Sequence, residues 1–140
     1  MSVSNTTSTE QTRAVVEAFG RHVAGGDFAA LRALFADEVD FDIPGATDVV
    51  PWIGRRTTGE AATEFYTTLD HHLERQFYET EHVFADGEHA VLVGRLRSKV
   101  LATGRLIETP FSMSLTVSEG RITRLLMLED SHLVAEATRR

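Results

Sequence analysis

The sequence predicts an α+β domain: a curved, mainly antiparallel sheet wrapped by three helices from the N-terminal half, with a hydrophobic pocket between them. Three observations carry this. Apolar residues recur at helical spacing over residues 15–35 and 62–73, and from Arg75 onward they alternate instead. Turn residues then cut the alternating stretch at Asp86-Gly87, Gly104 and Glu119-Gly120.

Residues 1–8 are small and polar and read as a mobile lead-in, leaving residues 9–140 as one domain. Ser8 and Gln11 have capping-box spacing. Val15, Val16, Phe19 and Val23 then follow at helical intervals until Gly25-Gly26 stops the run. Asp27 is placed to cap a second, shorter helix that buries Phe28, Leu31, Leu34 and Phe35. Val39 to Ile43 alternate apolar and acidic residues, as a strand with one dry face does, and Pro44-Gly45 ends it. A loop of about a dozen residues carries the only Trp, Trp52, before a Thr57–Glu60 capping pair. The third helix then places Ala62, Phe65, Tyr66, Leu69 and Leu73 along one stripe. Four strands are expected at about 75–85, 89–101, 105–117 and 121–129, with a short helical tail after Ser131.

Charge and composition exclude several classes. The chain has 140 residues, 42% of them hydrophobic and 25% charged, which is globular composition with length enough to bury a core unaided. No cysteine is present, so disulfides, thiolate metal sites and cysteine nucleophiles drop out. A net charge of −7 argues against a nucleic-acid surface. There is no apolar run of the ~18 residues that a membrane span needs, and Met1 to Thr12 lack the apolar core of a signal peptide. A cytoplasmic protein is the expectation. Lys99 is the only lysine beside many arginines, which fits a GC-rich bacterial genome. No G-x-S-x-G, P-loop or G-x-G-x-x-G occurs, and no helical His pair suggests a metal, so neither cofactor nor metal is expected.

Four stretches, FADEVDFDIPG, PWIGRRTTGEAATEFY, the Asp86-Gly87 hairpin and EGRITRLLMLEDSHLVAEA, resemble in order and spacing the SnoaL-like branch of the NTF2-like superfamily. The resemblance runs from about Thr12 to Ala137 and implies a cone-shaped fold around a hydrophobic pocket. That superfamily includes ketosteroid isomerases, polyketide cyclases, limonene epoxide hydrolase and scytalone dehydratase. Its familiar catalytic positions carry apolar residues here. Phe19 stands where the isomerases place a Tyr, Ile43 at their base, and Met113 near their second acid. Met127 falls where the epoxide hydrolases and cyclases place an acid. The fold is implied, and those particular chemistries are not.

The remaining polar residues are weighed on their own pattern. Glu129 continues the Thr123, Leu125, Met127 side of the last strand. A carboxylate among such neighbours has a raised pKa suited to acid–base work; at the strand end it could equally face water. Asp42 enters the pocket if D-I-P forms a one-residue bulge, and otherwise shares a solvated side with Asp40. His82 follows Tyr78 and Thr80 at strand period and would join a polar strip inside the cavity. Trp52 is either a lid over the pocket or a loop anchor, and Tyr66 donates either to a ligand or to a structural partner. Arg95 and Arg97 share a strand face that reads as solvated or interfacial. The expected catalytic group is thus Glu129, Asp42 and His82, with Phe19, Ile43, Trp52, Tyr66, Met113, Leu125 and Met127 lining the pocket. These residues support a cofactor-independent enzyme acting on a hydrophobic small molecule, which the family resemblance implies to be a cyclase, isomerase or lyase of bacterial secondary metabolism with a polyketide-like substrate. The alternative is a non-catalytic binding or interaction module. Leu126 and Leu128 on the opposite face of the last strand point to a homodimer through the open side of the sheet.

Overall fold

The computed structural model describes residues 2–140, with side chains from Ser8 onward. Among the described residues, six strands form one sheet and four helices accompany it. The chain runs α1 (Ser2–Gly25), α2 (Phe28–Leu34), β1 (Phe35–Ile43), β2 (Gly54–Thr58) and α3 (Gly59–Thr68). After a 3-10 turn at Leu69–His71 come β3 (Leu73–Asp86), β4 (His89–Val100), β5 (Leu106–Ser118), β6 (Arg121–Glu129) and α4 (Ser131–Thr138). The strand order is β2-β1-β6-β5-β4-β3. Only β1 and β6 pair in parallel; every other neighbour is antiparallel, as expected of strands joined by short turns.

Local differences from the sequence reading have local causes. Helix α1 begins at Ser2, ahead of the Ser8–Gln11 box. The mobile lead-in expected over residues 1–8 falls, through residue 7, outside the described side chains. Asp27 caps α2 as expected, its carboxylate accepting from the Ala30 amide at 3.2 Å. Phe35 opens β1 instead of closing α2, because α2 stops after two turns and the chain goes directly into the sheet. Strand β2 was expected as loop: it is short, polar and at the sheet edge, so it shows no alternation. Its last residue, Thr58 and not Thr57, caps α3 through the Ala61 amide at 3.1 Å.

Helix α1 lies across the concave side of the sheet and is fastened at both ends. Thr9 Oγ1 accepts from the Gly87 amide at 2.8 Å and buried Thr12 donates to the Gly87 carbonyl at 2.7 Å, clasping the β3–β4 hairpin. At the other end Arg75 of β3 donates to the Val23 and Ala24 carbonyls at 3.0 and 2.8 Å. A cation there also meets the negative end of the helix dipole. Phe19, Leu31, Phe35, Phe41, Leu92, Leu115 and Leu125 form the sealed core between helices and sheet.

The sheet bends where β3 breaks register, once between Arg75 and Phe77 and again between Thr80 and His82. Gly94 of β4 sits opposite the second break, paired with Thr80. A Cβ at Gly94 would strike the Glu79 carbonyl oxygen and lie 2.8 Å from Phe111 Cζ, so only glycine permits this approach. Gly94→Ala is therefore expected to destabilise the fold by about 2 kcal/mol or more, read as a lower urea midpoint. An unchanged midpoint would show that β3 can swing away freely and that the bend does not depend on this contact.

Candidate functional site

Where β3 and β4 curl away, the helices do not fill the concave face, and a cavity of about 320 Å³ remains. The sheet supplies Ile43, Leu96, Ile107, Met113 and Met127 to its wall. The helices add Val23, Phe28, Phe65 and Val134, and Trp52 and Ile53 come from the loop before β2. Polar groups are few. They are Glu129 at the end of β6, Tyr66 on α3, Tyr78 and Arg75 on β3, Ser98 on β4, and Asp70. The Asp70 side chain is 82% exposed while touching the cavity, which places the mouth at the 3-10 turn. Helix α4 closes the opposite side through Val134, held by its Asp130 cap on the Leu133 amide at 3.0 Å. Thr103 adds a 2.6 Å bond to the Ala137 carbonyl.

Glu129 is the one carboxyl the walls enclose. It pairs across the sheet with buried Phe111 and has no hydrogen-bond or ion-pair partner among the described residues. Burial, and secondarily the adjacent Asp130 charge, push it up from 4.5 to about 7. The two tyrosines are held by rings. Tyr66 meets Phe19, Phe41 and Phe65 edge-on, with centroids 5.9, 6.3 and 4.7 Å away. Tyr78 stacks on Phe111 at 5.1 Å. Burial raises the pKa of both phenols, so each remains an O–H donor. Arg56 of β2 steadies the lid loop. It donates to the Trp52 carbonyl at 2.8 Å while its guanidinium lies 4.9 Å from the Phe65 ring centre. Trp52 itself is 7% exposed and packs on His72 with ring centroids 5.4 Å apart, so it is both anchored and part of the wall.

Of the expected pocket residues, Ile43, Trp52, Tyr66, Met113 and Met127 line the cavity. Phe19 and Leu125 do not. Both are sealed in the core, Phe19 behind Tyr66 and Phe35. Of the expected catalytic group only Glu129 reaches the cavity. Asp42 forms no bulge: Phe41 and Ile43 take the inner face, and Asp42 lies outside opposite Leu126, 3.8 Å from Arg55. That arginine bonds Asp40 at 2.8 Å, so the two acids share one cation on the solvated side. His82 is corrected for a related reason. The register break after Thr80 reverses the alternation, turning His82 outward against Phe84 at 5.8 Å. Tyr78 precedes that break and stays inside. It lines the cavity, as the polar strip read from the sequence expects. Arg75 and Ser98 carried no signal in the sequence beyond their place on strands.

A family model for the SnoaL-like domain matches residues 15–125. No curated protein matches the chain in sequence. Among solved structures, an NTF2-like protein from Burkholderia xenovorans LB400 superposes with a TM-score of 0.83 at 24% identity, over 94% of this chain and 98% of that one. TerC, crystallised with polyporic acid, gives 0.79 at 16% identity over 91% and 98%. A LEH-like epoxide hydrolase from M. tuberculosis gives 0.73 at 16% identity over 93% and 90%. At these identities the structural likeness shows the fold.

The enclosed carboxyl makes a prediction about stability. Between 4.5 and about 7 the folded Glu129 holds a proton that the unfolded chain has released, so the native state loses stability as pH rises through that window. Glu129→Gln, which mimics the protonated acid, should equal the wild type at about pH 4 and exceed it by roughly 1–3 kcal/mol at about pH 8. Urea titrations of both proteins at the two pH values check this. An identical difference at both would mean that Glu129 ionises freely in water.

Proposed function

The chain belongs to the SnoaL-like branch of the NTF2-like superfamily, and from that premise we propose that it is a cofactor-independent enzyme acting on an apolar small molecule. The observation that carries this reading is a single carboxyl, raised to about 7, in a cavity otherwise walled by apolar side chains. Such a group is close to half-ionised at neutral pH and can take up or release a proton with little driving force against it. The walls hold a flexible substrate in one shape, and Glu129 moves the proton. Cyclisation, isomerisation or elimination on a polyketide-like skeleton in bacterial secondary metabolism needs no more than this. The co-crystal of TerC with polyporic acid supports a small organic ligand for a fold of this kind. A module that binds without turnover is the second reading, favoured by the apolar residues at Phe19, Ile43, Met113 and Met127.

Trp52 reports on the site, because it is the only tryptophan and lines the cavity. An apolar probe that binds by calorimetry should change its emission. On a true substrate, Glu129→Gln should lower kcat/KM about 100-fold or more and abolish the bend of its pH profile near 7. Binding without any reaction that depends on Glu129 would leave the second reading.

The working unit in this proposal is a homodimer. The convex face of the sheet carries two rows that run across four strands, Leu126–Ser114–Val91–Phe84 and Leu128–Ser112–Val93–His82. Phe84 is 60% and Leu128 50% exposed, a larger apolar surface than single scattered residues make. A second copy of the same face covers it isologously. Light scattering should give twice the monomer mass at concentrations of about ten micromolar, and Leu128→Glu should halve it. A wild-type monomer under those conditions rules the dimer out.

A further inference from the structure

Two buried hydroxyls in the cavity are left without any partner, those of Tyr66 and Tyr78. Buried phenols nearly always find an acceptor, and an orphaned one weakens the fold. Here two such groups face the same volume from different elements, α3 and β3. Neither can be relieved by a small shift, because both rings are fixed. Tyr66 is wedged among Phe19, Phe41 and Phe65, and Tyr78 lies between Phe111 and the Arg75 guanidinium, 5.9 Å from its ring centre. Arg75 is in turn tied to the end of α1. The two hydroxyls line one cavity and form no bond together.

We propose that Tyr66 and Tyr78 form a two-donor site for one acceptor oxygen, and that the ligand is therefore a neutral, apolar carbonyl compound. A carbonyl oxygen has two lone pairs and accepts two O–H donors at once. Both phenols remain protonated throughout the neutral range, so the site offers donors and asks for an acceptor. The same burial that raises the Glu129 pKa penalises a fully charged ligand, which favours a ketone or ester over a carboxylate. This rests on the reading of the cavity as a small-molecule site and names the chemistry of what enters it. Tyr66 and Tyr78 act as specificity-determining donors; the proton transfer proposed for Glu129 is a separate step.

The test uses two probes of one shape, the bicyclic ketone 1-tetralone and its hydrocarbon counterpart tetralin, on the full chain. Binding is read by calorimetry and Trp52 emission in the wild type, Tyr66→Phe and Tyr78→Phe. Each variant should bind the ketone about five- to tenfold more weakly and tetralin no more weakly than the wild type. The infrared carbonyl stretch of bound 1-tetralone should fall below its value in hydrocarbon solvent and return part of the way in each variant. Because no native hydrogen bond is lost, the thermal midpoints of both variants should stay at or above that of the wild type. If tetralin binds while the ketone affinity is the same in all three proteins, the two-donor site is overturned and the cavity reading stands. If neither probe binds the wild type, both are overturned. A variant that fails to fold does not shelter the proposal, since a hydrocarbon-like carbonyl stretch in the wild type alone also overturns it.

Discussion

A six-stranded sheet of ordinary twist, packed directly on α1 and α3, would bring its inner side chains against the helices and leave no room for a ligand. Here β3 drops out of register twice, and Gly94 lets the Glu79 carbonyl come where no Cβ could stand. The strands beyond that point curl away from the helices. Phe111, the cross-strand neighbour of Gly94, occupies the space beside the glycine and offers its own face to Tyr78. The bend therefore sets the position of one of the cavity's few polar groups as well as the cavity's existence.

The dry wall that follows from this geometry decides the state of every polar group on it. Glu129 has no cation near it and stays protonated to about 7, whereas Asp40 and Asp42, on the other face of the same sheet, share Arg55. Tyr66 and Tyr78 are held as phenols by burial. Each of these groups costs the fold some stability, and the cost is carried by the packed aromatic cluster of Phe19, Phe35, Phe41 and Phe65. Two of the three buried polar side-chain atoms left without a partner among the described residues, the Tyr66 and Tyr78 hydroxyls, lie on this one cavity.

Long elements with one clear period were legible in the sequence: α3, β4, β5 and β6, the α2 cap at Asp27, the helical tail after Ser131, and the fold as a whole through its family resemblance. What was not legible depended on register. A single break after Thr80 moved His82 from the cavity to the outer face, and the absence of a break at Ile43 kept Asp42 outside. A second break, between Thr116 and Val117, lets Ile122 share the buried side with Leu125 although the spacing is odd. Bulges leave no reliable mark in composition, because they follow from how neighbouring strands fit. Depth was equally hidden. Phe19 and Leu125 have the same apolar pattern as the true wall residues, yet neither lines the cavity, and Phe19 packs behind Tyr66.

The relation between family and chemistry then becomes a matter of which wall positions are polar. In this chain the positions that resemble the catalytic ones of the isomerases and hydrolases carry Phe19, Ile43, Met113 and Met127, and Ile43, Met113 and Met127 do form wall. They cannot exchange a proton or donate a hydrogen bond. Polar groups stand elsewhere on the same surface, among them Glu129 at the end of β6, Tyr66 on α3 and Tyr78 on β3. Glu129 lies two residues beyond Met127, one full strand period along the same face, so moving an acid there keeps it inside while shifting it toward α4. A wall built from five strands and four helices offers many inward positions at which such a relocation can occur. The fold supplies the enclosed, dry volume, and a few substitutions at strand or helix period determine where within it a proton can be handled.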